Sequence, residues 1–195
     1  MPPRRFGYTA GTMTDSLYLT PTDLRSAPPL PQVEQALHDI GFIGAPLAVQ
    51  RFRAGEQLLR YITFAGCSPH LKFEPPPDGG DDFCHVALLG PFAQPQMLVG
   101  PHTVKPRCPT CKQRVADWRP LQAAWQAAPG TAQWRCPACG QSHAVPDWRW
   151  RQHALFGRVF VAVRQVFPAE AVPDEPLLAA LQAATGVAWQ FGWAA

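Results

Sequence analysis

Cys108-Pro109-Thr110-Cys111 and Cys136-Pro137-Ala138-Cys139-Gly140 decide how this chain is read. The two Cys-x-x-Cys pairs are separated by 24 residues, 112–135, which is the pattern of a four-thiolate metal site. In each pair the first thiolate is placed to accept hydrogen bonds from backbone N–H groups of the tight turn that carries the second. Pro109 and Pro137 stiffen these turns, and Gly140 is suited to the left-handed conformation just after one of them. Two such turns, one on each arm of a hairpin, bring four sulfurs around one ion.

The segment resembles a zinc ribbon over about residues 104–145. The resemblance implies a small β-structured module with one Zn2+ per chain, held by Cys108, Cys111, Cys136 and Cys139. Ribbons of this kind serve stability, nucleic-acid contact or protein contact, so the resemblance implies no single function. Two further readings of the same cysteines stay open. Rubredoxin-like iron for electron transfer uses turns with Gly after the second Cys, as at Gly140, although Lys112 holds the matching place in the first turn. Dithiol redox chemistry is the third, because a Cys-Pro-x-Cys in isolation is glutaredoxin-like. Four sulfur ligands with no open coordination position favour structural zinc.

The surroundings of the motif set the class. The chain has 195 residues, 47% hydrophobic and 16% charged, a globular composition long enough for one domain with a small module. Its 23 prolines predict short elements and stiff connections. The net charge of +3 is unevenly placed, for residues 101–151 carry eight basic side chains against two acidic ones. Four thiolates around a divalent ion carry a formal charge of about −2 that this count omits. Arg107, Lys112 and Arg135 each neighbour a ligand cysteine and are placed to offset it.

No apolar segment follows Met1-Pro2-Pro3-Arg4-Arg5, and no run reaches the roughly 20 apolar residues that span a bilayer. The longest candidate, Ala154 to Phe167, is interrupted by Arg158, Arg164 and Gln165. The expectation is a cytoplasmic protein without a membrane partner. Residues 1–12 read as a disordered tail, with Met13 an alternative start.

The fold class expected is α+β: a small mixed or antiparallel sheet with about two helices, formed by residues 13–100 and 152–195, with the ribbon inserted as residues 101–151. Leu30, Val33, Leu37 and Ile40 recur at helical spacing between Pro31 and Gly41, and a second helix runs from Pro176 to Ala184 before Gly186. Strands are expected at Ser16–Thr20, 42–50, 57–64, 83–89, 157–167 and Val187–Trp193. Residues 57–64 and 83–89 read as a hairpin, joined through an exposed acidic loop from Glu74 to Asp82, and residues 90–107 as a linker. Strand, loop, helix and strand recur at both ends, compatible with two β-α-β units.

Other candidate chemistry is sparse. Cys67, His70 and Cys84 sit at the ends of the expected hairpin, where a second metal or a reactive thiol with a His base is conceivable. If 83–89 is a strand, Cys84 and His85 point to opposite faces and cannot both reach one ion. The bland alternative is that both cysteines are buried small hydrophobes. Trp148-Arg149-Trp150-Arg151 has the aromatic–basic alternation that stacks bases and holds phosphates. The same pattern equally suits tryptophans that dock a thin ribbon while the arginines reach outward. There is no P-loop, dinucleotide glycine pattern, Gly-x-Ser-x-Gly or His-Glu-x-x-His. The leading expectation is a non-enzymatic, zinc-stabilised protein whose partner is either protein or nucleic acid.

Overall fold

The computed structural model describes residues 16–65, 71–77, 79–100, 103–167 and 170–194. The expected tail, residues 1–12, lies outside them, as do Cys67 and His70.

The described chain is α+β. In order it forms β1 (Ser16–Pro21), α1 (Leu30–Asp39), β2 (Ile43–Ala48), β3 (Arg51–Ala54), β4 (Ile62–Phe64), β5 (His85–Leu89), β6 (Gln96–Val99), α2 (Trp118–Ala127), β7 (Gln133–Arg135), β8 (Ser142–Ala144), β9 (Ala154–Gly157), β10 (Phe160–Arg164), β11 (Ala171–Pro173), α3 (Glu175–Thr185) and β12 (Trp189–Ala194). The main sheet has six strands in the order β12-β1-β10-β5-β3-β2, and every neighbouring pair is antiparallel. Three two-stranded ribbons, β4–β11, β6–β9 and β7–β8, surround it.

Antiparallel neighbours make β1 and β2 run the same way, and likewise β10 and β12. Helices α1 and α3 are therefore both crossovers between parallel strands of one sheet. Each helix obeys local punctuation. Pro31 lies in the first turn of α1, and Gly41 at φ 68° ends it. Pro176 lies in the first turn of α3, and Gly186 at φ 72° returns its N–H to the Gln182 carbonyl at 2.8 Å. The two helices lie against each other, and Gln32 Nε2 donates to the Ala184 carbonyl at 2.6 Å.

Period-two alternation divides the sheet's faces. Leu17, Leu19, Val161, Val163, Val86 and Leu88 face the helices and share a core with Val33, Leu37, Leu177 and Leu181. Tyr18, Phe160, Ala162 and Ala87 face the other way and share a second core with Leu155. The β6–β9 ribbon covers that second face. Leu98 and Leu155, a cross-strand pair, point to the sheet, whereas Met97 and Phe156, the next pair, point outward into a third core. The ribbon is thus a plate with two apolar faces.

The chain enters the cysteine segment from β6 and leaves it into β9, its own pairing partner. Several expectations change here. Residues 90–107 are not simply a linker, because they contain β6. The 57–64 stretch splits into a 3-10 turn at Leu58–Arg60 and the short β4. Strand β4 pairs with β11, and β5 with β3 and β10, so the expected hairpin between 57–64 and 83–89 does not form. A third helix, α2, stands within the cysteine segment, beyond the two helices expected.

Candidate metal centre

The ligand turns are built by backbone hydrogen bonds that repeat residue for residue. In the first, Cys108 N–H donates to the Gln113 carbonyl at 2.8 Å and Lys112 N–H to the Cys108 carbonyl at 3.1 Å. In the second, Cys136 N–H donates to the Gln141 carbonyl at 2.8 Å and Gly140 N–H to the Cys136 carbonyl at 2.8 Å. The residue after each second cysteine is left-handed, Lys112 at φ 65° and Gly140 at φ 72°. Arg107 Nη1 donates to the Lys112 carbonyl at 3.3 Å, and Arg135 Nε to the Gly140 carbonyl at 3.1 Å. Each arginine therefore clasps the end of its own turn.

These contacts show a signal that the cysteine spacing alone does not use. Residues 107–113 read Arg-Cys-Pro-Thr-Cys-Lys-Gln and residues 135–141 read Arg-Cys-Pro-Ala-Cys-Gly-Gln, identical at five of seven positions. The arginine and glutamine of each copy have structural roles. The glutamine carbonyl holds the first cysteine's N–H, and its own N–H favours the second cysteine's thiolate, as Gln113 does for Cys111 and Gln141 for Cys139, although burial and neighbouring sulfurs leave both thiols raised.

The four sulfurs converge. All ligand atoms lie within 4.8 Å of one another, with Cys108 Sγ 3.8 Å from Cys139 Sγ and Cys111 Sγ 3.6 Å from Cys136 Sγ. A tetrahedron of sulfurs at the usual zinc–sulfur length of about 2.3 Å has edges of about 3.8 Å. A disulfide requires about 2.05 Å, so the cluster is spaced for an ion rather than for a cross-link. Cys108 and Cys136 are buried, Cys139 is half-buried and Cys111 is exposed. The first cysteine of each pair thus anchors the site and the second faces outward.

The electrostatics fit a cation. Burial opposes ionisation of Cys108, but N–H groups of Cys111 and Thr110 and the neighbouring cysteine side chains outweigh it and bring this thiol down to about 6. Cys139 goes the other way. Gln141 N–H favours its thiolate, but burial and the three neighbouring sulfurs push it up to about 12. One thiolate is stabilised by the fold, and further ones repel it, so a divalent cation is what lets all four ionise together.

Around the centre, β7 and β8 form the second arm, and a backbone bridge pairs Arg107 with Arg149 through bonds of 2.8 and 3.3 Å. The Trp148–Arg151 segment therefore runs against the first ligand turn. Its tryptophans point inward. Trp148 and Trp150 are buried, stack at 5.7 Å, and meet Trp118, Trp134 and Phe156. Trp125 of α2 is wholly buried edge-on against Phe156 at 5.0 Å. The indoles hold the module on the β6–β9 plate and are not surfaces on which a base stacks. Arg149 and Arg151 stay exposed. His143 adds no ligand to the cluster; its Nε2 lies 3.3 Å from Thr110 Oγ1, tying the second arm to the first turn.

Of the other candidate cluster, only Cys84 is among the described residues. It is buried in the helix-side core, and burial pushes its thiol up to about 12. His85 projects from the opposite face toward Arg51, as strand alternation requires.

No protein-family model matches this chain, and comparison with curated proteins and with solved structures gives no significant match. No helix among the described residues is long and apolar enough to cross a membrane.

Proposed function

We propose that Cys108, Cys111, Cys136 and Cys139 hold one structural zinc ion, and that the module it stabilises contacts a nucleic acid through phosphates. The observation that carries the first part is the mutual approach of four sulfurs at tetrahedral-edge spacing on two matching turns. Iron has the same ligand demands. Lys112 adopts the left-handed conformation that glycine takes in the second turn, so a lysine at this position does not disfavour iron. Metal analysis of the purified protein separates the two: one colourless zinc per chain supports this reading, and one iron with visible absorption overturns it.

The second part rests on the basic surface. Lys105, Lys112, Arg114, Arg149 and Arg151 are exposed, and among the described residues no ion pair ties any of them to a carboxylate. With the tryptophans turned inward, the contact is electrostatic rather than stacking. Binding to single-stranded DNA should therefore weaken steeply with salt, and replacing Arg149 and Arg151 by Gln should reduce the log–log salt slope by roughly 1.4. Binding that ignores salt, or a slope unchanged in the double variant, defeats the nucleic-acid reading and favours a protein partner for the module.

The enzymatic reading at Cys67, His70 and Cys84 is disfavoured by the burial of Cys84, whose thiol at about 12 is almost wholly un-ionised at neutral pH. Iodoacetamide should leave Cys84 unmodified in the folded protein at pH 7.5; rapid labelling there would revive that reading.

A further inference from the structure

On the sheet face turned away from the helices, a row of polar residues runs across four strands. Ser16 is the register partner of Arg164, Arg164 of His85, and His85 of Arg53. In the next same-face row Tyr18 lies opposite Ala162, Ala162 opposite Ala87, and Ala87 opposite Arg51. The two alanines keep the floor between Tyr18 and Arg51 low. Arg164, from the first row, reaches the Tyr18 ring of the second.

Arg164 is the anomaly in this group. It is half-buried, its Nη1 donates to Tyr18 Oη at 2.7 Å, and its guanidinium carbon lies 5.2 Å from the Tyr18 ring centroid. Among the described residues no carboxylate pairs with it. Held by a hydroxyl and a ring face, this partly desolvated cation has the Asp81 carboxylate near enough to feel its charge but, among the described residues, in no direct ion pair with it.

His85 beside it is buried. Its Nδ1 lies 2.9 Å from the Phe83 carbonyl, which can only accept, so the ring proton sits on Nδ1. The Nε2 lone pair then faces Arg51 Nη2 at 3.3 Å. Burial first, and then the charges of Arg51 and Arg164, hold the imidazole below its ordinary pKa despite Asp81. The face thus presents two guanidinium donors and one neutral acceptor.

One anion already sits here. Asp81 pairs with Arg51 at 2.5 Å, and that hydrogen bond, aided by the charges of Arg51 and Arg164, holds its carboxyl low against the effect of burial. The Asp81 side chain is 68% exposed and that of Arg51 34%, and such pairs contribute little. Glu74 pairs in the same way with Arg53 at the flank.

We propose that Arg51, Arg164 and His85, with Tyr18, form a binding site for the phosphate of a phosphomonoester or of free phosphate, with the Asp81 carboxylate competing for one oxyanion position. The chemistry selects phosphate over carboxylate. Guanidinium forks match both, but Arg51 serves the His85 lone pair at 3.3 Å, and an Arg51 fork that turns to a ligand leaves that lone pair in need of another donor. A phosphomonoester, with its second pKa near 6, retains a P–OH for part of its population at neutral pH, whereas a carboxylate is fully ionised. A phosphodiester lacks that proton, so the site takes terminal phosphates.

The test uses the full, metal-loaded chain, titrated with phenyl phosphate, inorganic phosphate, methyl phenyl phosphate and benzoate. Binding is read by calorimetry and by the side-chain nitrogen resonances of arginine and His85. Phenyl phosphate should shift Arg51, Arg164 and His85 saturably, and the diester and benzoate should bind at least about tenfold more weakly. Tighter binding of phenyl phosphate than of inorganic phosphate identifies an organic ligand, and equal binding identifies free phosphate; each upholds the site. Asp81→Asn should tighten phosphate binding about threefold by removing the competing charge. Arg164→Gln should weaken it about tenfold or more, and Arg51→Gln gives the same readout if Arg164→Gln disturbs the sheet. Benzoate binding as well as phenyl phosphate, no saturable shift, or unchanged affinity in Arg51→Gln and Asp81→Asn would each overturn the proposal.

Discussion

Lys112 and Gly140 occupy the same place in two matching turns, at φ 65° and 72°, each donating its N–H to the carbonyl of the first cysteine of its pair. A lysine in that conformation is strained by about 1 kcal/mol, whereas glycine adopts it freely but loses more freedom on folding. The expected outcomes are therefore unequal. Gly140→Ala should cost about 1 kcal/mol, and Lys112→Gly should gain less than that, because relieved strain is partly offset by the more flexible unfolded chain. Thermal unfolding of the metal-loaded protein checks both, and a destabilised Lys112→Gly would mean that the strain at this position is already relieved by the clasp of Arg107.

The cysteine site should carry the stability of its own module. Structural zinc in small modules contributes an apparent 10–16 kcal/mol, on the order of a whole domain's stability. Cys108→Ser or Cys136→Ser should abolish stoichiometric metal and expose residues 104–145 to protease. Strands β1, β10 and β5, whose side chains Leu17, Val161, Val163 and Val86 pack against the helices rather than the module, should keep their amide protection. Hydrogen exchange reports both regions at once. Unchanged metal content together with an unchanged module would remove the basis of the metal assignment.

How far the sequence reaches is visible in particular residues. Pro31 and Gly41, and Pro176 and Gly186, give α1 and α3 to within a residue or two, because helix ends are written locally. The four cysteines likewise announce their cluster through spacing. The pairing of β4 with β11 is set by contacts more than 100 residues apart, such as Val172 with Thr63, and no local pattern encodes it. The Gln96–Val99 strand is short and lies in a proline-rich stretch, so its alternation has too few residues to stand out. The inward turn of Trp148 and Trp150 depends on the backbone bridge between Arg107 and Arg149, again a long-range contact.

The two faces of the β6–β9 plate should separate in mutants. Leu155 and Phe156 are neighbours in sequence but serve different cores: Leu155 meets the sheet with Tyr18 and Phe160, while Phe156 meets Trp125 and Trp150. Leu155→Ala should cost about 2–5 kcal/mol in the main sheet, and Phe156→Ala about 3–5 kcal/mol in the cysteine module. Amide exchange should quicken in β1 and β10 for the first, and around Trp125 and the ligand turns for the second. Identical exchange patterns in the two variants would mean that the plate and both its cores unfold as one unit.

His85 sets a pH dependence on the main sheet. Burial, reinforced by Arg51 and Arg164, lowers its pKa in the folded protein below the ordinary 6.5. The unfolded chain therefore takes up a proton first as pH falls. The fold should lose stability from about pH 6.5 downward, until the pH reaches the lowered folded value, below which the loss stops growing. Above pH 6.5 the imidazole is neutral in both states and contributes no slope. Acid would also release an ion held by the four cysteines, so the informative quantity is the difference between the wild type and His85→Gln. Urea midpoints measured at pH 7.5 and 5.5, with a probe on the helix-side core such as Trp193, should fall further in the wild type than in the variant. Equal falls would show that His85 is as easily protonated in the folded sheet as in water, and that its place between Arg51 and Arg164 carries no electrostatic penalty.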